Sequence, residues 1–144
     1  MPFQFQYLAA SNCLYVIGRG RVSLQDFLDY HRTVKIPDPK PDLLILADYR
    51  ELDPSNLSTS DIEQIRESAL RKIEDKFTSV KEATVVADTL AYGLTRMFDG
   101  VFHSEKYELN IFTDIREAIL WLGLAPETQL DSDQQFEPAD KQPS

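Results

Sequence analysis

Polar and apolar residues alternate at the start of the chain. Phe3, Phe5 and Tyr7 are separated by Gln4 and Gln6, a period of two that predicts a strand with one packed and one wet face. Ser11-Asn12 is a turn signal and Cys13 to Arg19 a second β-prone run, so the pair reads as an antiparallel hairpin. Ser23, followed three residues later by Asp26, marks a helix start. Leu24, Phe27, Leu28 and His31 share one side of that helix, and Pro37, Pro39 and Pro41 end it.

Leu43 to Ala47 is a short unbroken apolar run, closed by Asp48-Tyr49-Arg50. It predicts a strand covered on both faces, with polar groups at its carboxyl end, where α/β sheets usually bind. Asp53-Pro54-Ser55-Asn56 has turn chemistry. Ser60 and Glu63 form a capping box for a helix whose stripe is Ile62, Ile65, Ala69, Ile73 and Phe77. Ala83 to Ala87, stopped by Asp88, repeats the pattern of an apolar strand ending in aspartate. Thr89 then caps a helix with Leu90, Leu94, Met97 and Val101 on one face, and Gly93 there fits close packing against the sheet. Glu108 to Phe112 is the last strand. Asp114 to Glu117 is a further capping box, Ile115, Ala118, Ile119, Trp121 and Leu122 supply apolar surface, and Gly123 suits a left-handed C-cap with Leu124 as its contact.

The order β-β-α-β-α-β-α-β-α predicts an α/β domain over residues 1–124. Its sheet is five-stranded, mixed and mostly parallel, with the antiparallel hairpin at one edge and helices on both faces. Residues 125–144 are Gln-, Asp-, Glu- and Pro-rich and cannot bury a core, so they read as a disordered acidic tail. The hairpin edge is a surface on which a second copy could pair, giving a homodimer.

A net charge of -9 and a pI of 4.6 argue against nucleic acid and anionic membranes as partners. No run is long enough for an integral membrane segment, and the N-terminus lacks signal-peptide features, so a cytoplasmic location is expected. Cys13 is the only cysteine and lies in an apolar run with no activating base beside it, the pattern of a small buried hydrophobe. With His31 and His103 the only histidines, no metal site is expected. Nor is there a Gly-rich phosphate loop, a nucleophile elbow or a zinc-protease motif. No cofactor and no catalytic residue are assigned.

Three stretches carry a family resemblance: Leu44 to Asp48, Val85 to Phe98 with its Ala91-Tyr92-Gly93-Leu94, and Phe112 to Leu122 with its Trp121-Leu122. In order and spacing the chain resembles the STAS domain of anti-sigma-factor antagonists, and more closely the SpoIIAA-like branch of bacterial proteins. The antagonists carry a phosphorylated serine in an Asp-Ser-Ser-Gly-Leu loop. Here the corresponding stretch is Asp53-Pro54-Ser55-Asn56-Leu57: Pro54 takes the phosphoacceptor's place, Asn56 replaces the glycine, and Ser55 stands on the second serine. The resemblance therefore implies phosphorylation at Ser55 only by family context. The SpoIIAA-like branch is also similar to the lipid-carrying CRAL-TRIO (Sec14-like) fold, which implies an apolar ligand; Phe98, Phe102 and Trp121 could line a pocket for it, although aromatic residues on helix stripes are more often core.

Three readings of function follow. The first is a non-catalytic binding or regulatory module acting through a protein partner, with a contact patch near the loop from Asp53 to Ser60 or on the helix that loop opens. The second is a carrier or sensor of a small apolar ligand or lipid, with a cavity beneath the helix from Leu90 to Phe102. The third is a small enzyme using Asp48 and Asp88. Asp48, Arg50, Asp53, Ser55, Asp88, Tyr92 and Arg96 are the candidate ligand- or partner-binding residues, gathered by the argument that two neighbouring strands end in aspartate.

Overall fold

The computed structural model describes residues 2–37, 40–73, 76–88, 105–125 and 137–138. Strand β1 (Phe3–Leu8) turns through a 3₁₀ segment at Ala9–Ser11 into β2 (Cys13–Arg21). Helix α1 (Leu24–Thr33) leads to β3 (Asp42–Asp53), α2 (Thr59–Ile73) to β4 (Ser79–Val85), and β5 (Tyr107–Phe112) to α3 (Ile115–Trp121). The strand order is β5-β4-β3-β2-β1, with a two-residue strand β6 (Glu137–Pro138) outside β1. The β1–β2 pair is antiparallel, whereas β2, β3, β4 and β5 run parallel. This is the mixed α/β sheet that the pattern predicts, and the segments ending at Asp48 and before Asp88 are parallel neighbours.

Local chemistry sets the element boundaries. In α1, the Ser23 side chain accepts from the Asp26 amide, and the Asp26 carboxylate accepts from the Ser23 amide. The reciprocal pair that opens α2 is Ser58 with Asp61, at 2.9 and 3.0 Å, two residues earlier than the predicted Ser60–Glu63 box. Aspartate at the third helical position answers the capping serine as glutamate does, which moves the start back. Asp114 caps α3 by accepting from the Arg116 amide. Gly123 follows α3 with a φ of +79°, and the Leu124 amide donates to the Ile119 carbonyl, the C-cap read from the sequence.

Strand β3 differs from the reading. It does not stop at Asp48 but continues to Asp53. The register with β2 slips between Ile17, which faces Asp48, and Arg19, which faces Glu51. One more residue on β3 than on β2 makes a bulge there, and it resets the alternation of side chains. Tyr49 and Leu52 consequently both pack with the α1/α2 core, although an uninterrupted strand would send them to opposite faces. Gly18 sits opposite the bulge. A Cβ on it would lie 2.9 Å from both Leu52 Cδ1 and Tyr49 Cδ1 and 3.1 Å from Phe3 Cε1. The close approach of three side chains requires glycine.

The two faces of the sheet are filled differently. On one, Cys13, Tyr15, Ile17, Leu46, Ala83 and Val85 meet Ala118, Ile119, Leu122 and Leu124. There α3 lies close against β3, β4 and β5. Lys81 ties it down, donating to the Trp121 carbonyl at 2.8 Å with its ammonium 4.3 Å from the indole centre. On the other face, α1 and α2 pack chiefly on each other and stand off the strands. Rings from Phe3, Phe27, Tyr30 and Tyr49 fill the β1–β3 side of that layer.

Residues 137 and 138 pair with Phe5 and Gln4, so this part of the expected disordered tail forms a short strand along the hairpin edge proposed for self-pairing. The helix expected from Leu90 to Phe102 lies outside the described residues. Cys13 is fully buried, and burial pushes its thiol up to about 12, as suits a packing residue. Gly18→Val should destabilise the protein by about 2 kcal/mol, the usual scale for forcing methyl groups into a filled space. Urea denaturation of both proteins checks this, and an unchanged midpoint would contradict the crowding at the bulge.

Candidate functional site

Among the described residues, the positions picked from the sequence fall into two hydrogen-bonded pairs, Asp48 with Arg50 and Asp53 with Ser55. Asp48 is buried, on the α3 side of the sheet, and its carboxylate takes both ends of the Arg50 guanidinium at 2.9 and 2.7 Å. This pair spans the β3 bulge and raises the Arg50 guanidinium's affinity for its proton, chiefly through the Asp48 hydrogen bond. Asp53 ends β3 and accepts from the Ser55 amide at 3.0 Å and from Arg21 at 3.4 Å. The Ser55 contacts, more than Arg21, hold its carboxyl below the usual range. Ser55 is exposed, but a phosphate there would sit beside that carboxylate and be repelled. Asp88 is exposed, three residues past Val85, the partner of Asp48 in the ladder. Among the described residues no hydrogen bond or ion pair links Asp48, Asp53 and Asp88 to one another. Tyr92 and Arg96 lie outside the described residues.

The concave site is elsewhere. Between the sheet and the α1/α2 layer is a cavity of about 590 Å³. Its walls are mainly aliphatic and aromatic, drawn from Leu14, Leu43 and Ile45 on the strands and Ile62, Ile65 and Ala69 on α2. Trp121 packs against Phe112 on the opposite face, the core role favoured for it over a pocket-lining one. Phe98 and Phe102 lie outside the described residues. The cavity exists where α1 and α2 stand off the strands, and the β3 bulge turns Leu52 into the same wall as Tyr49.

A small polar cluster interrupts this apolar lining. Glu82 lies in the middle of β4, between Ile45 of β3 and Leu109 of β5. Its neighbours alternate away, so its side chain points toward the helices. Tyr107 donates to one carboxylate oxygen and Thr84 to the other, the latter at 2.7 Å. Burial raises the Glu82 carboxyl above the ordinary range, while the Tyr107 and Thr84 hydrogen bonds act the other way. Tyr30 and Tyr49 also line the cavity, and burial, with the nearby Glu82 charge adding to it, raises both phenols. Their hydroxyls have no hydrogen-bond partner among the described residues. The cluster therefore offers a carboxyl group and unused hydroxyls to a ligand's polar atom.

His31 lies in the same wall, its Nδ1 2.8 Å from Ser68 Oγ on α2. Burial, helped by the Lys72 charge, holds its imidazole down at about 4. It is neutral at pH 7 and serves as a strut between α1 and α2, as the sequence reading of a boundary histidine implies. Among the described residues no cluster of histidine, cysteine and carboxylate side chains could hold a metal, and no helix is long and apolar enough to cross a membrane.

No single motif announces the cavity. Glu82 sits just before the apolar run that starts at Ala83, where it reads as a flanking charge, and Tyr107 just before Glu108. An available signal was the period of two through Val80, Glu82, Thr84 and Val86, which places a carboxyl on an otherwise packed face. No protein-family model, no curated protein and no solved structure matches the chain.

The His31 environment has a pH consequence. Its folded pKa is depressed, so the unfolded chain binds the proton first as pH falls below 6.5. Stability from this residue is present above that pH and is lost toward pH 4. The wild type should lose roughly 2 kcal/mol more than His31→Gln between pH 7 and pH 4.5. Glu82 runs the opposite way, stabilising below the unfolded carboxyl pKa and losing that contribution as pH rises through its folded value. It is common to both proteins and cancels in the difference. Urea midpoints at the two pH values measure it, and parallel losses would show that His31 is not buried in its neutral form.

Proposed function

We propose that the protein binds a small apolar ligand in the cavity between the sheet and the α1/α2 layer, as a carrier or sensor. The observation that carries this reading is a hollow of about 590 Å³ with apolar walls and one polar cluster around the half-buried Glu82. Its size falls within the range typical of small-molecule sites, roughly 300–1,000 Å³. The cavity opens to the surface, so water occupies it when no ligand is bound, and its aliphatic walls favour a hydrocarbon group over that water. The Glu82, Tyr30 and Tyr49 groups suit a single polar atom on that ligand, such as a hydroxyl or carbonyl oxygen.

The STAS kinship is part of the same proposal, in its Sec14-like aspect. The protein-contact reading has less support around Asp53 to Ser60. Leu57 packs into the core there, and Ser55, Asn56 and Ser58 present polar groups. The enzymatic reading requires a free carboxylate in a cleft, whereas Asp48 is buried in its pair with Arg50.

The test uses N-phenyl-1-naphthylamine, an uncharged probe that fluoresces on leaving water. It should bind one-to-one with a Kd on the order of micromolar. Ala69→Phe puts a ring into the hollow from α2 and should weaken the probe at least about tenfold, with the thermal midpoint preserved because the ring fills empty space. Absence of saturable binding, or equal binding by the variant, would overturn the proposal.

A further inference from the structure

Of the residues in the cavity wall, the exposed ones are Arg32, Lys35 and Lys76. All are cations, and they lie just beyond or within the last turns of α1 and α2. The hollow thus reaches the surface at the end where both helices finish, and its mouth is basic. Lys72, on the last turn of α2, is a half-buried member of the same wall. In a chain of net charge -9, this concentration of positive charge runs against the overall field.

The charges are only partly answered. Arg32 is paired with Asp29 at 2.8 Å. Lys35, Lys72 and Lys76 have no ion pair or hydrogen bond among the described residues. They also crowd one another: burial, then the charges of Lys76 and Lys35, make the Lys72 ammonium easier to deprotonate. Helix dipoles favour cations at C-terminal ends. That alone does not account for an ammonium drawn partly into the protein beside two others, where each raises the cost of the next. An anion between the three would relieve the repulsion.

Resting on the reading that the cavity holds an apolar ligand, we infer that this ligand is an anionic amphiphile. Its hydrocarbon tail lies between the sheet and α2, and its carboxylate or phosphate head is held at the mouth by Lys35, Lys72 and Lys76. Lysine suits this role because a point charge on a flexible stem accepts either head group without fixed geometry. The anion meets the lysines at the surface, where its desolvation is incomplete, while the tail supplies most of the binding through burial.

The experiment is displacement of N-phenyl-1-naphthylamine by a set of twelve-carbon competitors below their micelle concentrations: dodecanoate, dodecyl phosphate, dodecanol and dodecyltrimethylammonium. At least one of the two anions should displace the probe at a concentration about tenfold lower than dodecanol, and the cation should be weakest. Raising the salt should shrink the preference, since the head groups meet at the surface. The triple variant Lys35→Gln, Lys72→Gln, Lys76→Gln should lose the preference for anions, so that dodecanoate, dodecyl phosphate and dodecanol displace the probe at concentrations within about twofold of one another. The triple Lys→Arg variant keeps the charge and should keep the preference, which separates charge from any effect on folding. Dodecanoate against dodecyl phosphate tells which head group is favoured. Equal displacement by dodecanol and both anions would overturn the inference and leave the cavity reading standing. Failure of the probe itself to bind would remove the cavity reading first.

Discussion

A carboxyl group in the middle of a strand that is covered on both faces constrains the rest of this structure. Glu82 has β3 on one side and β5 on the other, and helices above it. It cannot be packed with aliphatic side chains without losing the hydrogen bonds that make its burial tolerable. Tyr107 and Thr84 meet that demand from the same face of the sheet. Tyr30 and Tyr49 extend the polar zone toward α1. On this side the α1/α2 layer leaves a cavity over the group, whereas α3 closes onto the other face.

The sheet therefore has one solid side and one hollow side, and the β3 bulge helps to separate them. Before the bulge, even-numbered residues of β3 such as Leu44 and Leu46 face α3, and Leu43 and Ile45 face the cavity. After it, Leu52 returns to the cavity side. Asp48 and Arg50 flank the slip and form an ion pair across it on the solid side. A pair of that kind is readily mistaken for functional chemistry when only the sequence is available, since an aspartate at the end of an apolar run looks the same whether its strand stops or continues. Here only Asp48 is buried, while Arg50 reaches the surface.

Much of the fold was legible because its signals are local. The period of two in Phe3, Phe5 and Tyr7, the capping pair Ser23–Asp26 and the glycine stop at Gly123 each act over a few residues, and each appears where the pattern puts it. The α2 start shifted by a turn's fraction because Ser58–Asp61 and Ser60–Glu63 are both valid boxes, and only packing chooses between them. The candidate site was far less legible. Its polar members come from β4, β5, α1 and β3, and its basic mouth from the ends of two helices distant in sequence. No local pattern joins Lys35 to Lys72, or Tyr30 to Glu82. A hollow is a property of spacing between layers, and one-dimensional periodicity carries no record of that distance.

Strand β3 receives the chain from α1 and hands it on to α2. Both roof helices are thus hung from opposite ends of the same central strand, and they touch each other more than they touch the sheet beneath. The width of the hollow is therefore set by one paired helical layer rather than by either helix alone.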